Sequence, residues 1–264
     1  MTPETYTFGG RSVTMPVEVR RARNWVATFT VPAEAARALV APTGLEVARP
    51  KAGRALVTLG FVEYEDTDLG SYHEFMISIM VRKHDRPPAT QRAMSRELRR
   101  NDVGVYIHRL PVDDRFSMDA GRGIWGYPKT MMQFERTDSG GATGWSLSED
   151  GKLAVAMRWR PRWLPIPAAK APPTYTFLDG VLRMTAWESR ARGVRARIRG
   201  VDLELGEGAI ADDLRSLGLP GRAVLSISVS QMRARFGPAR VISAPMDGSS
   251  EQEGNSNLGS FLAP

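Results

Sequence analysis

Two long runs of β-branched and aromatic residues, Arg54 to Tyr64 and Tyr72 to Arg82, flank the acidic segment Glu65-Asp66-Thr67-Asp68-Leu69-Gly70. Runs of this kind around a short Gly-containing connection read as a hairpin or meander step, and these two are expected to be central strands. The habit extends along the chain. Ser12 to Val19 alternates through Val13, Met15, Val17 and Val19, and Trp25 to Val31 carries Val26, Phe29 and Val31 among small polar residues. Later strands are expected at Met131–Glu135, Thr143–Ser148, Leu153–Trp159, Thr174–Leu178, Leu182–Ser189, Val194–Leu205 and Ala223–Phe236.

Helical signals are few. Pro32 to Val40 has proline in a first-turn position, helix formers throughout and a stop at Pro42-Thr43-Gly44. Thr90 to Asn101 sets Met94 and Leu98 at i, i+4 against a face of Arg92, Arg96, Glu97, Arg99 and Arg100, which predicts a surface helix. Asp113 to Ala120 reads as a short helix or turn. The segment from Pro161 to Pro173 is too proline-rich for a central strand and too apolar for a bare linker. It reads either as a loop over a pocket or as a packed connection or subunit contact. Asp247 to Gly259 is rich in Ser, Gly, Asn and Glu and is expected to be disordered. Residues 1–244 therefore read as one β-dominated domain and residues 245–264 as a flexible tail.

The chain has no cysteine, so thiolate catalysis and cysteine-based zinc sites are excluded, and a reducing cytoplasm is the expected location. His73, His84 and His108 are scattered, and no metal site is predicted. No stretch approaches eighteen uninterrupted apolar residues, so no membrane span is expected. The net charge of +7 raises the question of nucleic acid. The arginine clusters lie in strand-like or amphipathic segments without a nucleic-acid motif and are read as solvated faces. Such a basic surface attracts anionic small molecules.

Of the 36 basic residues only five are lysines: Lys51, Lys83, Lys129, Lys152 and Lys170. Arginine cannot form an imine, so an amine kept in such a chain is informative. Lys129 follows the glycine-bounded, aromatic segment Gly121-Arg122-Gly123-Ile124-Trp125-Gly126-Tyr127-Pro128 and precedes the apolar run beginning Met131-Met132. That setting would strip water from an ammonium and favour the neutral, nucleophilic amine. Gly123 and Gly126 allow backbone to approach a ligand, Pro128 holds Tyr127 extended, and Trp125 is a candidate apolar wall. At the head of the second central strand, Tyr72-His73-Glu74 supplies a carboxylate that, if buried, would handle protons or hold a polar substrate group.

The order Tyr72-His73-Glu74, then Gly121-Arg122-Gly123-Ile124-Trp125-Gly126-Tyr127-Pro128-Lys129, resembles the acetoacetate decarboxylase superfamily, whose hallmark is G-R-E-x-x-x-Y-P-K ending in the Schiff-base lysine. The resemblance runs from about Arg23 to Met132. It implies an α+β, mostly antiparallel fold, a β cone or double barrel with a few peripheral helices, assembled as a homo-oligomer. It implies a carbon–carbon lyase that needs neither cofactor nor metal, with Lys129 as the imine-forming nucleophile and Glu74 as the active-site carboxylate. Tyr72 and Trp125 become candidate substrate contacts. A pocket arginine on an N-terminal strand of the family falls, by spacing back from Pro42 and Leu45, on Arg23, which would hold a substrate carboxylate.

Three departures bear on the reaction. The family's second lysine is Thr130, the glutamate after Gly-Arg is Gly123, and the strand before the Tyr-x-Glu motif lacks a second glutamate near Thr58 to Gly60. The Trp-Gly-Tyr-Pro-Lys form resembles the divergent branch that includes pyruvate aldolase-dehydratases. The expected substrate is a small oxo acid, and the reaction is of decarboxylase or aldolase-dehydratase type. A noncatalytic small-ligand-binding protein on the same fold is the alternative.

Overall fold

The structure, a computed structural model, describes residues 4–87, 89–160 and 164–243. A hairpin of β1 (Thr5–Phe8) and β2 (Arg11–Thr14) leads into the long strand β3 (Val17–Pro32) and helix α1 (Ala33–Val40). Then come β4 (Arg54–Thr67), β5 (Tyr72–Val81), helix α2 (Gln91–Arg99), β6 (Gly104–Arg109) and helix α3 (Arg115–Trp125). The second half opens with β7 (Gln133–Ser139), β8 (Ala142–Glu149), β9 (Lys152–Trp159) and β10 (Leu164–Pro165). It continues through β11 (Thr174–Leu178), β12 (Val181–Thr185), β13 (Trp187–Arg197) and β14 (Val201–Leu205). Helix α4 (Ala209–Ser216), β15 (Ala223–Phe236) and β16 (Arg240–Ser243) complete it.

Ten strands form one sheet in the order β10-β13-β15-β3-β4-β5-β6-β11-β12-β16, and β14-β9-β8-β7 form a second. All pairings are antiparallel except β6 with β11. This is the α+β, mostly antiparallel architecture that the strand pattern and the resemblance imply. No helix among the described residues is long and apolar enough to cross a membrane.

At its centre the large sheet is covered on both faces, so alternate residues of β3, β4 and β5 enter different cores. Trp25, Ala27 and Phe29 of β3, with Leu59, Phe61, Phe75 and Ile77, join Trp145, Leu147 and Trp159 of the smaller sheet in one core. Val17, Val19 and Ala22, with Val62, Tyr64 and Tyr72, enter the other core against Ile124 and Trp125 of α3. On β3 the parity changes from odd to even between Val19 and Ala22, where its pairing with β4 shifts register.

Several boundaries differ from expectation for local reasons. The run Ser12–Val19 is interrupted at Met15-Pro16, where β2 ends and β3 begins. The acidic connection after Tyr64 is largely strand, because Arg20 binds Asp66 at 2.8 Å and Asp68 at 2.5 Å, and Arg21 and Arg23 pair with Glu65. The expected strand Val194–Leu205 is two strands in different sheets, divided where Arg199 and Gly200 take φ of 60° and 80°. Leu182–Ser189 is likewise divided between β12 and β13. Helix α4 was not anticipated; it begins after Gly208 without a side-chain cap. The expected tail, the 244/245 boundary and Pro161 to Trp163 lie outside the described residues.

Helix α3 starts at Asp114, whose carboxylate accepts a 2.6 Å hydrogen bond from the Ser117 amide. Removing such a cap costs about 1 kcal/mol. Asp114→Ala is therefore expected to lower the unfolding free energy by that amount, seen by circular dichroism as a lower urea midpoint with an unchanged slope.

Candidate active site

Lys129 stands just beyond the end of α3, and the helix shapes its seat. The glycine-rich approach expected as a turn is helical to Trp125, and the turn is confined to Gly126 at φ 64°. Glycine inside a helix costs about 1 kcal/mol relative to alanine, and here two glycines stand where side chains have no room. A Cβ on Gly121 would lie 2.6 Å from Lys129 Cδ and 2.8 Å from Cε. One on Gly123 would lie 2.5 Å from Phe8 Cε1. The backbone of Lys129 is held from both sides, its N–H donating to Tyr127 O at 2.8 Å and its carbonyl accepting from Arg122 Nη1 at 3.1 Å.

Glu74 reaches the same point from β5. Strand alternation turns Tyr72 and Glu74 toward the cavity and His73 toward the smaller sheet, where its ring lies 5.2 Å from that of Trp145 and its Nδ1 2.6 Å from Asp113 Oδ2. Lys129 Nζ is 3.0 Å from Glu74 Oε2, and the two residues are 3% and 7% exposed. The other oxygen, Oε1, accepts a 3.2 Å hydrogen bond from Tyr64 OH. The ammonium also lies 4.8 Å from the centre of the Tyr72 ring, a cation–π contact. Burial, followed by the Glu74 carboxylate, holds the Tyr64 and Tyr72 phenols well above the ordinary tyrosine value, and burial raises Tyr127 as well. All three remain neutral near neutral pH.

These residues line a cavity of about 150 Å³ whose other walls include Val62, Met76, Ile107, Met232 and Phe236. Of the residues proposed from sequence, the structure brings Lys129, Glu74, Tyr72 and Trp125 together here. Trp125 anchors its wall by donating from Nε1 to Gly237 O at 2.8 Å. Arg23 is elsewhere. It projects from the opposite face of β3 and pairs with Glu63 at 3.3 Å and Glu65 at 2.5 Å, while its neighbour Asn24 lines the cavity. No arginine among the described residues lines the cavity, and Arg23 does not form the expected clamp for a substrate carboxylate. Asn24, Tyr64 and Thr174 were missed, coming from three separate strands with no shared motif.

Outside the cavity is an open basin of about 710 Å³, lined in part by Lys170, Ala171 and Pro173 of the proline-rich loop. Trp187 lines both spaces and donates from Nε1 to Pro172 O at 3.0 Å. The described part of the loop thus lies against Trp187, which separates the two spaces.

A family model described as Acetoacetate decarboxylase (ADC) matches residues 5–246. The chain belongs to the acetoacetate decarboxylase family. Among solved structures, acetoacetate decarboxylase from Legionella pneumophila superposes with a TM-score of 0.69 at 16% identity, covering 86% of this chain and 87% of that one. The enduracididine biosynthesis enzyme MppR complexed with pyruvate gives a TM-score of 0.61 at 18% identity, covering 86% and 90%. An acetoacetate decarboxylase-like enzyme from Sphingomonas wittichii RW1 gives 0.63 at 16%, covering 90% and 98%. At these identities the likeness concerns the fold. A search of curated proteins found no match.

Two of the motif departures have local structural correlates. Phe8 occupies the space that a side chain at Gly123 would need. Thr130, in place of the second lysine, is exposed, and Lys129 is the sole cation among the described residues lining the cavity. The close seat at Gly121 yields a direct test. Gly121→Ala should fold yet displace the amine, and a misplacement near 1 Å is enough for a loss on the order of 10²-fold. The rate of borohydride-trapped carbonyl adduct at Lys129, followed by mass spectrometry, would measure it.

Proposed function

We propose that this acetoacetate decarboxylase-like enzyme is a carbon–carbon lyase that works through an imine on Lys129, with Glu74 moving the protons. The observation that carries this reading is the 3.0 Å contact between a buried amine and a buried carboxylate at the wall of an apolar cavity. In a dry site, transfer of one proton from Nζ to Oε2 turns a charged pair into a neutral amine and a carboxylic acid. The amine attacks the substrate carbonyl carbon, forming the C–N bond as the carbonyl electrons move to oxygen, which takes up the proton that the attacking nitrogen sheds. The resulting hydroxyl leaves as water with the proton held by Glu74. The product is a protonated imine opposite a carboxylate.

That imine is an electron sink. Either a neighbouring C–C bond breaks and its electrons enter the C=N bond, or Glu74 removes a proton from the adjacent carbon and an enamine results, ready to add to an aldehyde. The lack of a second cation among the described residues of the cavity lining favours the second course, the aldolase type, over loss of carbon dioxide from a bound carboxylate. Tyr64, hydrogen-bonded to Oε1, holds the carboxylate in place as it gains and loses protons.

Borohydride reduction in the presence of a panel of 2-oxo acids, 3-oxo acids and neutral ketones is expected to add the mass of a carbonyl compound to Lys129. Absence of an adduct from every member would sink the proposal. Lys129→Arg keeps a cation beside Glu74 but is expected to abolish turnover, whereas a noncatalytic binder would keep its affinity within about tenfold, 1.4 kcal/mol. Glu74→Gln retains the shape of the acid without its proton transfer, and turnover should fall by roughly 10²–10⁴.

A further inference from the structure

The polar side chains of the cavity are mostly accounted for. Tyr64 donates to Glu74, Thr67 to Gly70 O, and Trp187 to Pro172 O, while the Tyr127 and Thr174 hydroxyls lie 3.1 Å apart. Asn24 differs. Its Oδ1 is buried without a hydrogen-bond partner, and its Nδ2 has only a 3.5 Å contact to the Met232 thioether. A buried amide oxygen without a partner costs about 1–3 kcal/mol, and this one belongs to a residue lining the substrate cavity.

The strand register says how far Asn24 is from the chemistry. Asn24 pairs with Val62 on β4, and Val62 pairs with Glu74 on β5. Adjacent strands are about 4.8 Å apart, so Asn24 and Glu74 stand roughly 10 Å apart at the backbone on one wall. Their side chains narrow that span to the reach of a small molecule. A cavity near 150 Å³ holds a molecule of about benzene size, on the order of six heavy atoms.

Charge limits what that molecule is. Lys129 and Glu74 are the charged residues among those lining the cavity, and they neutralise each other. An uncharged carbonyl compound preserves that balance at every stage: the iminium faces the carboxylate, and the enamine faces the acid. An oxo acid adds a carboxylate that no arginine in the lining compensates, and an unpaired buried charge is costly.

Resting on the imine at Lys129, we propose that Asn24 is a specificity residue that accepts a hydrogen bond from a hydroxyl of an uncharged ketone or aldehyde, a few bonds from the carbonyl carbon. The cavity thereby selects neutral hydroxylated carbonyl compounds over the oxo acids that the family resemblance suggests.

Three probes of nearly equal size separate these features. 4-Hydroxy-2-butanone has the hydroxyl, 2-pentanone replaces it with a methyl group, and acetoacetate carries a carboxylate in place of the whole hydroxymethyl group. The concentration giving half-maximal borohydride-trapped adduct on Lys129 is expected to be at least tenfold lower for the hydroxyketone than for either of the others. In Asn24→Leu, with folding checked by circular dichroism, the ratio between hydroxyketone and pentanone should fall to near one. The inference is overturned if the wild-type enzyme traps acetoacetate as readily as the hydroxyketone, if pentanone matches it, or if Asn24→Leu leaves the ratio unchanged. The wild-type ranking needs no variant and decides the matter even if Asn24→Leu does not fold. An adduct with acetoacetate alone would overturn the role of Asn24 while leaving the Lys129 imine standing; no adduct with any carbonyl compound would remove both.

Discussion

The central strands of the ten-stranded sheet have no face to spare. One side packs against the four-stranded sheet and the other forms the cavity core, so each step along β3, β4 or β5 moves a side chain from one interior to the other. Phe61 and Phe75 build the packed side, with ring centres 4.7 Å apart. Val62 and Glu74, each one residue away, face the chemistry. The rigidity of the site follows. Its walls are the reverse surface of a close-packed core, and the carboxylate cannot move without moving strands buried on both faces.

That constraint also separates what could be read in the sequence from what could not. Tyr72 and Glu74 are two residues apart on an uninterrupted strand, so they share a face, and the Tyr-Pro-Lys segment keeps its meaning because it is contiguous. Arg23 was a different case. Alternation continued from Val17 and Val19 would aim residue 23 into the cavity, but the irregular register between Val19 and Ala22 reverses the parity and puts Asn24 there. Nothing in Arg20-Arg21-Ala22-Arg23 marks a bulge, because the extra residue is set by pairing with a strand more than forty positions away. The helical glycines were opaque for a related reason. Local propensity argues against a helix through Gly121 and Gly123, and the reasons for them, the stem of Lys129 and the ring of Phe8, are tertiary. The division of the expected strand after Val194, by contrast, had a local signal in Arg199-Gly200 that was overlooked.

The buried pair of Lys129 and Glu74 is an expensive feature of the fold. Desolvating two ions commonly offsets their attraction, and apolar replacements of similar volume are often at least as stable. The pair is better understood through the proton it can relocate than through any stability it adds. Neutral tyrosines around it supply a hydrogen bond and an aromatic face without introducing further charge. The family's second lysine would alter that balance only if it faced inward, and with Thr130 exposed the described residues of the cavity lining hold one positive group.

Trp187 belongs to two compartments. Its ring stacks on Phe236 with centres 5.1 Å apart, and its nitrogen is tied to the carbonyl of Pro172. The partition between the inner cavity and the outer basin is therefore fastened to a surface loop, a part of a protein that tolerates sequence change far better than a sheet with two buried faces. Variation in that loop can reshape the boundary of the reaction chamber while the lysine, the glutamate and the strands that carry them stay as they are. In such an arrangement the outer boundary of the cavity and the pair of Lys129 and Glu74 are inherited on separate pieces of chain.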